Sequence, residues 1–173
     1  MTLFDRSLEK LKENVKGLLR PSSVYHLAGE GLAAIEEVHA IGYIHRDIKP
    51  TNFCIGINMA AARYGVPDAY SLPYWSIDSH KKAPANPRVD LEAWFYTFVE
   101  MLDPQIMSWK KCHSESEVLA AKIKFWDEIS ESVANCSTQI METAKLILEA
   151  PDKVDYGAFK RLMEEAKNAY LKG

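Results

Sequence analysis

From Val89 to Leu102 the chain reads Val-Asp-Leu-Glu-Ala-Trp-Phe-Tyr-Thr-Phe-Val-Glu-Met-Leu, apolar on almost every face of a helix. A helix of that kind must be enclosed on all sides, so any fold this chain adopts is built around it. The longest apolar run, Ala93 to Val99, is interrupted by Thr97 and is far too short to cross a bilayer. Enclosure therefore has to come from protein. With 47% hydrophobic and 10% aromatic residues among 173 positions, one domain with a real core is within reach.

The surrounding segments read as helices. Phe4, Leu8, Leu11, Val15 and Leu18 alternate steps of four and three, the pattern of an amphipathic helix, which Pro21 stops. Ser22 and Ser23 are N-cap candidates for a second helix carrying Val24, Leu27, Leu32, Ile35 and Val38, with Gly42 as its C′ glycine. Phe53-Cys54-Ile55 reads as a short strand. Gly56 to Pro87, rich in proline, shows no sustained period apart from a turn of helix at Met59 to Arg63. Ser114-x-x-Glu117 is a capping box opening a helix through Val118, Ile123, Trp126 and Ile129. Ser137 or Thr138 starts another, with Ile140, Met141, Ala144, Ile147 and Leu148, closed by Pro151. Asp155 caps a last helix with Phe159, Leu162, Met163 and Ala166. The fold class is mainly α with one short β element.

Charge and cysteines narrow the function. A net charge of −3 gives no nucleic-acid footprint and no polybasic membrane patch. Cys54, Cys112 and Cys136 lie far apart, without C-x-x-C spacing or clustered histidines, so neither zinc nor a disulfide framework is indicated and buried free thiols are expected. No apolar leader precedes the first helix. An intracellular location, cytoplasm or nucleus, follows as the expectation.

The chemistry is written in His45-Arg46-Asp47-Ile48-Lys49-Pro50-Thr51-Asn52. This octapeptide resembles the catalytic loop of protein kinases, in which the Asp accepts the proton of the substrate hydroxyl and the Asn five positions on holds magnesium. The resemblance gives these roles to Asp47 and Asn52. It makes Lys49 a cation that meets the transferring phosphate, as in the serine/threonine branch.

Further strings point to the casein kinase I group and its tau-tubulin kinase-like branch. Ile35-Glu36-Glu37-Val38-His39 and Gly42-Tyr43-Ile44 lead into the loop. Tyr74-Trp75-Ser76-Ile77-Asp78 resembles the group's Tyr-Ala-Ser-Ile-Asn, Arg88-Val89-Asp90-Leu91-Glu92 its Arg-x-Asp-Leu-Glu, and Lys153-Val154-Asp155-Tyr156 its late Pro-Asp-Tyr. The resemblance implies a protein-kinase-like C-terminal lobe over residues 1–173, with the small lobe absent. It makes Asp90 a support whose carboxylate accepts backbone N–H groups of the loop and holds His45 and Arg46 in place. The plainer reading, a carboxylate favoured in the first helical turn by the dipole, is compatible with it. His45 is then a scaffold residue, and Arg46 a group that meets the activation segment in related kinases.

The departures from the family are large. No Gly-rich loop, no Val-Ala-Ile-Lys-like string and no Asp-Phe-Gly occurs in the chain, although nucleotide and metal binding by kinases depends on all three. Asp68 follows a proline and is a poor substitute for the missing magnesium carboxylate. Between Asn52 and Tyr74 there is too little chain for the usual strands and activation segment, so an internal deletion is expected between about 57 and 72. Mg and ATP, the cofactors of an intact relative, are not expected here, and Asn52 is a vestigial Mg ligand.

Three functions compete: an inactive, protein-binding pseudokinase module, a truncated form of an active serine/threonine kinase, and a chain that pairs with another supplying the small lobe. The expected partners are a protein substrate or an intact kinase relative, without nucleic acid or membrane, and the oligomeric state is open. An exposed apolar patch with Tyr43, Phe53 and Ile55 at its rim is the corresponding expectation for the bare lobe face.

Overall fold

A computed structural model describes residues 6–15, 19–55, 71–149 and 154–172. Its elements are β1 (Arg6–Ser7), α1 (Leu8–Asn14), α2 (Pro21–Ala40), β2 (Cys54–Ile55), α3 (Ile77–His80), α4 (Pro87–Leu102), α5 (Glu115–Asp127), α6 (Ile129–Ser132), α7 (Thr138–Glu149) and α8 (Tyr156–Lys172), with 3-10 turns at Leu72–Tyr74 and Ser108–Lys111. The architecture is mainly helical. The strand expected at Phe53–Ile55 amounts to Cys54–Ile55, laddered antiparallel with Arg6–Ser7. That is two residues a side, so no sheet layer forms.

Helix α4 lies at the centre. Every residue from Val89 to Met101 is buried, as its all-round apolar sequence requires. Trp94, Phe95 and Tyr96 are at most 1% exposed, and each such side chain contributes on the order of 2–3 kcal/mol by leaving water. Helix α2 covers one side, with Trp94 Nε1 donating to the Ala28 carbonyl at 3.0 Å. On the other side Phe95 and Tyr96 join Trp109, Phe125 and Trp126 in an aromatic cluster with ring centroids 5.0–6.4 Å apart.

The buried polar residues of α4 do not contradict its enclosure, because each carboxylate is partnered by groups of a neighbouring segment. Glu92 accepts from the Ile77 amide at 2.8 Å and from the Tyr96 hydroxyl at 2.6 Å, fixing the entry to α3. Burial pushes the Glu92 carboxyl up, against the hydrogen bonds from Tyr96 and Ile77. Glu100 accepts from the Tyr74 hydroxyl at 2.6 Å, pairs with Lys12 at 3.1 Å and takes Lys110 as a third partner. Burial alone would raise it, but Lys110, Tyr74 and Lys12 together hold it below its ordinary value. Asp90 serves the loop after α2.

Helices α2 and α8 pack antiparallel along their length. His39 meets Tyr156, Glu36 pairs with Lys160, and Tyr25 stacks on Tyr170 at 5.8 Å. The apolar stripe of α8, Phe159, Met163 and Ala166, is buried beneath this seam. Near the middle of α2, Gly31 admits the rings of Phe53 and Phe98, which would lie 3.1 and 3.2 Å from any Cβ there.

Several local expectations need correction. Ser22 and Ser23 lie inside the first turn of α2, with Pro21 at N1 and Arg20 at the N-cap. Proline suits that position because its missing N–H would be an orphan anyway. The Ser114 helix stops at Asp127 instead of running through Ile129, which begins α6. The cysteines are free, but Cys54 is exposed and Cys112 and Cys136 are half-buried. Cys54 faces out because its neighbour Phe53 packs inward on Phe98 at 5.6 Å, and neighbours in extended chain point to opposite sides. Phe53 is therefore no part of an exposed rim, whereas Tyr43 is 60% exposed. Gly42 does take the left-handed conformation, φ +83°, and the Ser114–Glu117 capping box forms with both of its hydrogen bonds. Phe4, Leu18, the Met59–Arg63 turn, Asp68, Pro151 and the Ile55 side chain lie outside the described residues.

Candidate functional site

The chain leaves α2 through Gly42, runs without regular structure to Ile48, and turns at Lys49–Asn52, where the Asn52 amide donates to the Lys49 carbonyl at 3.0 Å. Ile48 anchors it in the core at 5% exposure. Arg46 has φ +64°, a left-handed conformation uncommon outside glycine that costs on the order of 1 kcal/mol. Two bonds to Asp90 offset that cost. The His45 amide donates to Asp90 Oδ2 at 2.6 Å and the Arg46 amide to Oδ1 at 2.7 Å. The carboxylate is fully buried.

Asp47, Lys49 and Asn52 come together. Asn52 Nδ2 donates to the Asp47 carbonyl at 2.7 Å and to Asp47 Oδ2 at 2.8 Å. Lys49 Nζ lies 3.3 Å from Asp47 Oδ2. His45 turns inward to its own loop, its Nδ1 accepting from the Asp47 amide at 3.3 Å. Arg46 is exposed and lines a shallow cleft with Asp47, Ser71, Trp75 and Ser79.

Ser71 is the group that sequence reasoning missed. Its hydroxyl donates to Asp47 Oδ1 at 2.8 Å and accepts from Lys49 Nζ at 2.5 Å, and the residue is 1% exposed. Lone serines carry no periodic signal, so only the packing of Leu72–Tyr74 against α4 brings it here. The site is thus a half-buried carboxylate flanked by a cation, an amide and a hydroxyl, an arrangement suited to orienting a hydroxyl and accepting its proton.

The donors for a metal do not complete a site. A hard cation takes about six oxygens. Among the described residues no group of three or more His, Cys, Asp or Glu is placed to hold one, and Asn52 brings a single amide oxygen. Among the described residues these donors do not by themselves make a magnesium site.

No family model matches the chain. Individual proteins do. A Caenorhabditis elegans protein described as "Putative serine/threonine-protein kinase" is 32% identical over 141 residues, covering 74% of this chain and 38% of that protein. The chain is related to the protein kinases. This kinase-related chain is also 24% identical over 186 residues to a Caenorhabditis elegans "Putative casein kinase I", covering 92% of the chain and 54% of that protein. Nucleosomal histone kinase 1 of Drosophila melanogaster is 26% identical over 156 residues, covering 77% of the chain and 26% of that protein. The chain spans little more than half the length of these relatives at most. Among the described residues no helix is long and apolar enough to cross a membrane.

Proposed function

We propose that this chain is a casein kinase I-like C-terminal lobe, closest to the tau-tubulin kinase-like branch, that works as a protein-binding pseudokinase module and not as a phosphotransferase. The observation that carries the proposal is the contrast between a folded catalytic loop and missing nucleotide groups. Asp47, Lys49 and Asn52 are held at hydrogen-bonding distance, yet no Asp-Phe-Gly occurs between Asn52 and Tyr74. Phosphoryl transfer is catalysed mainly by positioning and by electrostatic stabilisation of nucleotide and metal. A base without those groups has no electrophile to serve.

An internal deletion between about 57 and 72 accounts for the shortage. The casein kinase I match extends over 186 positions while this chain has 173 residues, which supports the relative's having residues without counterpart here. The partners proposed are a protein substrate of kinases or an intact kinase relative, engaged through the face around Arg46 and Tyr43. The test is incubation with Mg and radiolabelled ATP in the presence of a serine/threonine protein substrate. The expected result is no transfer above that of Asp47→Asn; transfer abolished by that substitution would overturn the proposal.

A second reading, a truncated form of an active serine/threonine kinase, draws on the preserved geometry of Asp47, Lys49 and Asn52. Sequencing transcripts across the codons for Cys54 to Ser76 separates the two. A longer message encoding Asp-Phe-Gly favours the active form.

A further inference from the structure

The late motif Asp155-Tyr156 opens α8. Asp155 Oδ1 accepts from the Ala158 amide at 3.0 Å, which places Tyr156 at the first position of α8 facing the end of α2. There its hydroxyl hydrogen-bonds His39 Nδ1, and the two rings meet edge to face with centroids 5.9 Å apart. On the far side of the imidazole, His39 Nε2 lies 2.8 Å from Asp90 Oδ2, the same oxygen that accepts the His45 amide. The His39 side chain is 6% exposed and that of Asp90 0%, so the line is shielded from water.

We propose that Tyr156 is a positioning residue of the loop His45–Asn52, tying that loop's backbone to the C-terminal helix through His39 and Asp90. With His39 neutral, the proton bookkeeping fits one arrangement. A carboxylate only accepts, so His39 Nε2 carries the proton that faces Asp90. Nδ1 is then the acceptor, and the Tyr156 hydroxyl donates to it. Burial, with Asp90 and Glu36 nearby, keeps that phenol protonated by raising it well above its ordinary value. Because Asp90 Oδ2 is shared between His39 and the His45 amide, the ring orientation set by Tyr156 decides where the carboxylate sits. The carboxylate in turn holds Arg46 in its left-handed conformation. The inference concerns the geometry of the loop and holds whether or not the chain transfers phosphate.

The full chain, 15N-labelled, provides the test, with Tyr156→Phe as the variant and Lys160→Met as its control. Lys160 pairs with Glu36 on the same α2–α8 seam without touching His39. In the unmodified chain His39 is expected as the Nε2-protonated tautomer with a hydrogen-bonded Nδ1; a protonated Nδ1 beside a bare Nε2 overturns the proposal without any variant. In Tyr156→Phe the Nδ1 resonance moves toward that of a free imine nitrogen. Amide exchange at His45 and Arg46 then quickens about tenfold, the effect of losing one hydrogen bond, while amides inside α4 keep their rates. Lys160→Met leaves His45 and Arg46 unchanged. Equal acceleration in both variants, or none in Tyr156→Phe, contradicts the proposal.

Discussion

Ser71 donates its hydroxyl proton to Asp47 Oδ1 at 2.8 Å, so the carboxylate of the His45–Asn52 loop is occupied by a residue of its own chain. Ser71 is 1% exposed, and Lys49 and Asp47 both bear on the same oxygen. Ser71→Ala is expected to cost about 1–2 kcal/mol, the range for a buried hydrogen bond to charged groups. Urea denaturation at constant m measures it. An unchanged midpoint would mean that the hydroxyl is replaceable by water.

Asp90 carries a heavier load. Asp90→Asn replaces one acceptor oxygen by a donor that faces the amides of His45 or Arg46, or the His39 Nε2–H. With a buried network broken and a left-handed Arg46 released, a loss of about 3 kcal/mol or more is expected. Asp90→Asn protein with near-native stability by the same denaturation would show that the first-turn location alone explains the residue.

The two glycines of α2 respond oppositely to alanine. A Cβ at Gly29 meets only Met163 Cβ at 3.8 Å, ordinary contact, so Gly29→Ala is expected to stabilise by up to about 1 kcal/mol through helix propensity. A Cβ at Gly31 meets Phe53 at 3.1 Å and Phe98 at 3.2 Å. Those rings are packed on each other, so Gly31→Ala is expected to destabilise by about 1 kcal/mol. Thermal melts of the two variants test the contrast.

Lys122 and His80 give the stability a pH dependence. Lys122 is 0% exposed, and its ammonium faces the Leu72 carbonyl at 3.1 Å, the Trp75 carbonyl at 2.5 Å and His80 Nε2 at 3.2 Å. Burial pulls Lys122 down to about 7 against the attraction of Glu92. Burial and then Lys122 lower His80, opposed by Glu115. Between pH 7 and 10.5 the unfolded chain holds the Lys122 proton and the folded chain has released it, so stability rises with pH there. For His80 the unfolded chain gains its proton first as the pH falls below about 6.5, and stability is lost. Denaturation midpoints should therefore rise from pH 5.5 through 7 to 9, by on the order of 2 kcal/mol over the last step. Lys122→Met should flatten that step. A midpoint that falls from pH 7 to 9 would contradict the assignment.

What could be read from the sequence follows from range of interaction. The enclosure of α4, the Ser114–Glu117 box and the Gly42 turn are local, and each depends on a few neighbouring residues whose pattern has one physical reading. The gathering of Asp47, Lys49 and Asn52 was also local, within one loop. Ser71 and Tyr156 were not legible as members of the site, since they reach Asp47 and His39 only after α4 and α8 have packed. The same holds for Phe53, which looks like an exposed hydrophobe until Gly31 opens a space for it. Lys122 has no signal at all in a charged helix, because its burial comes from carbonyls of the distant Leu72–Trp75 turn.

Titration calorimetry of the purified chain with Mg·ATP bears most directly on the separation of a folded kinase-like loop from nucleotide binding. With Asp47, Lys49 and Asn52 in place but no Asp-Phe-Gly carboxylate between Asn52 and Tyr74, the expected result is heat of dilution alone. A saturable isotherm with micromolar Kd, weakened by Asn52→Ala, would contradict it and restore the chain to the active kinases.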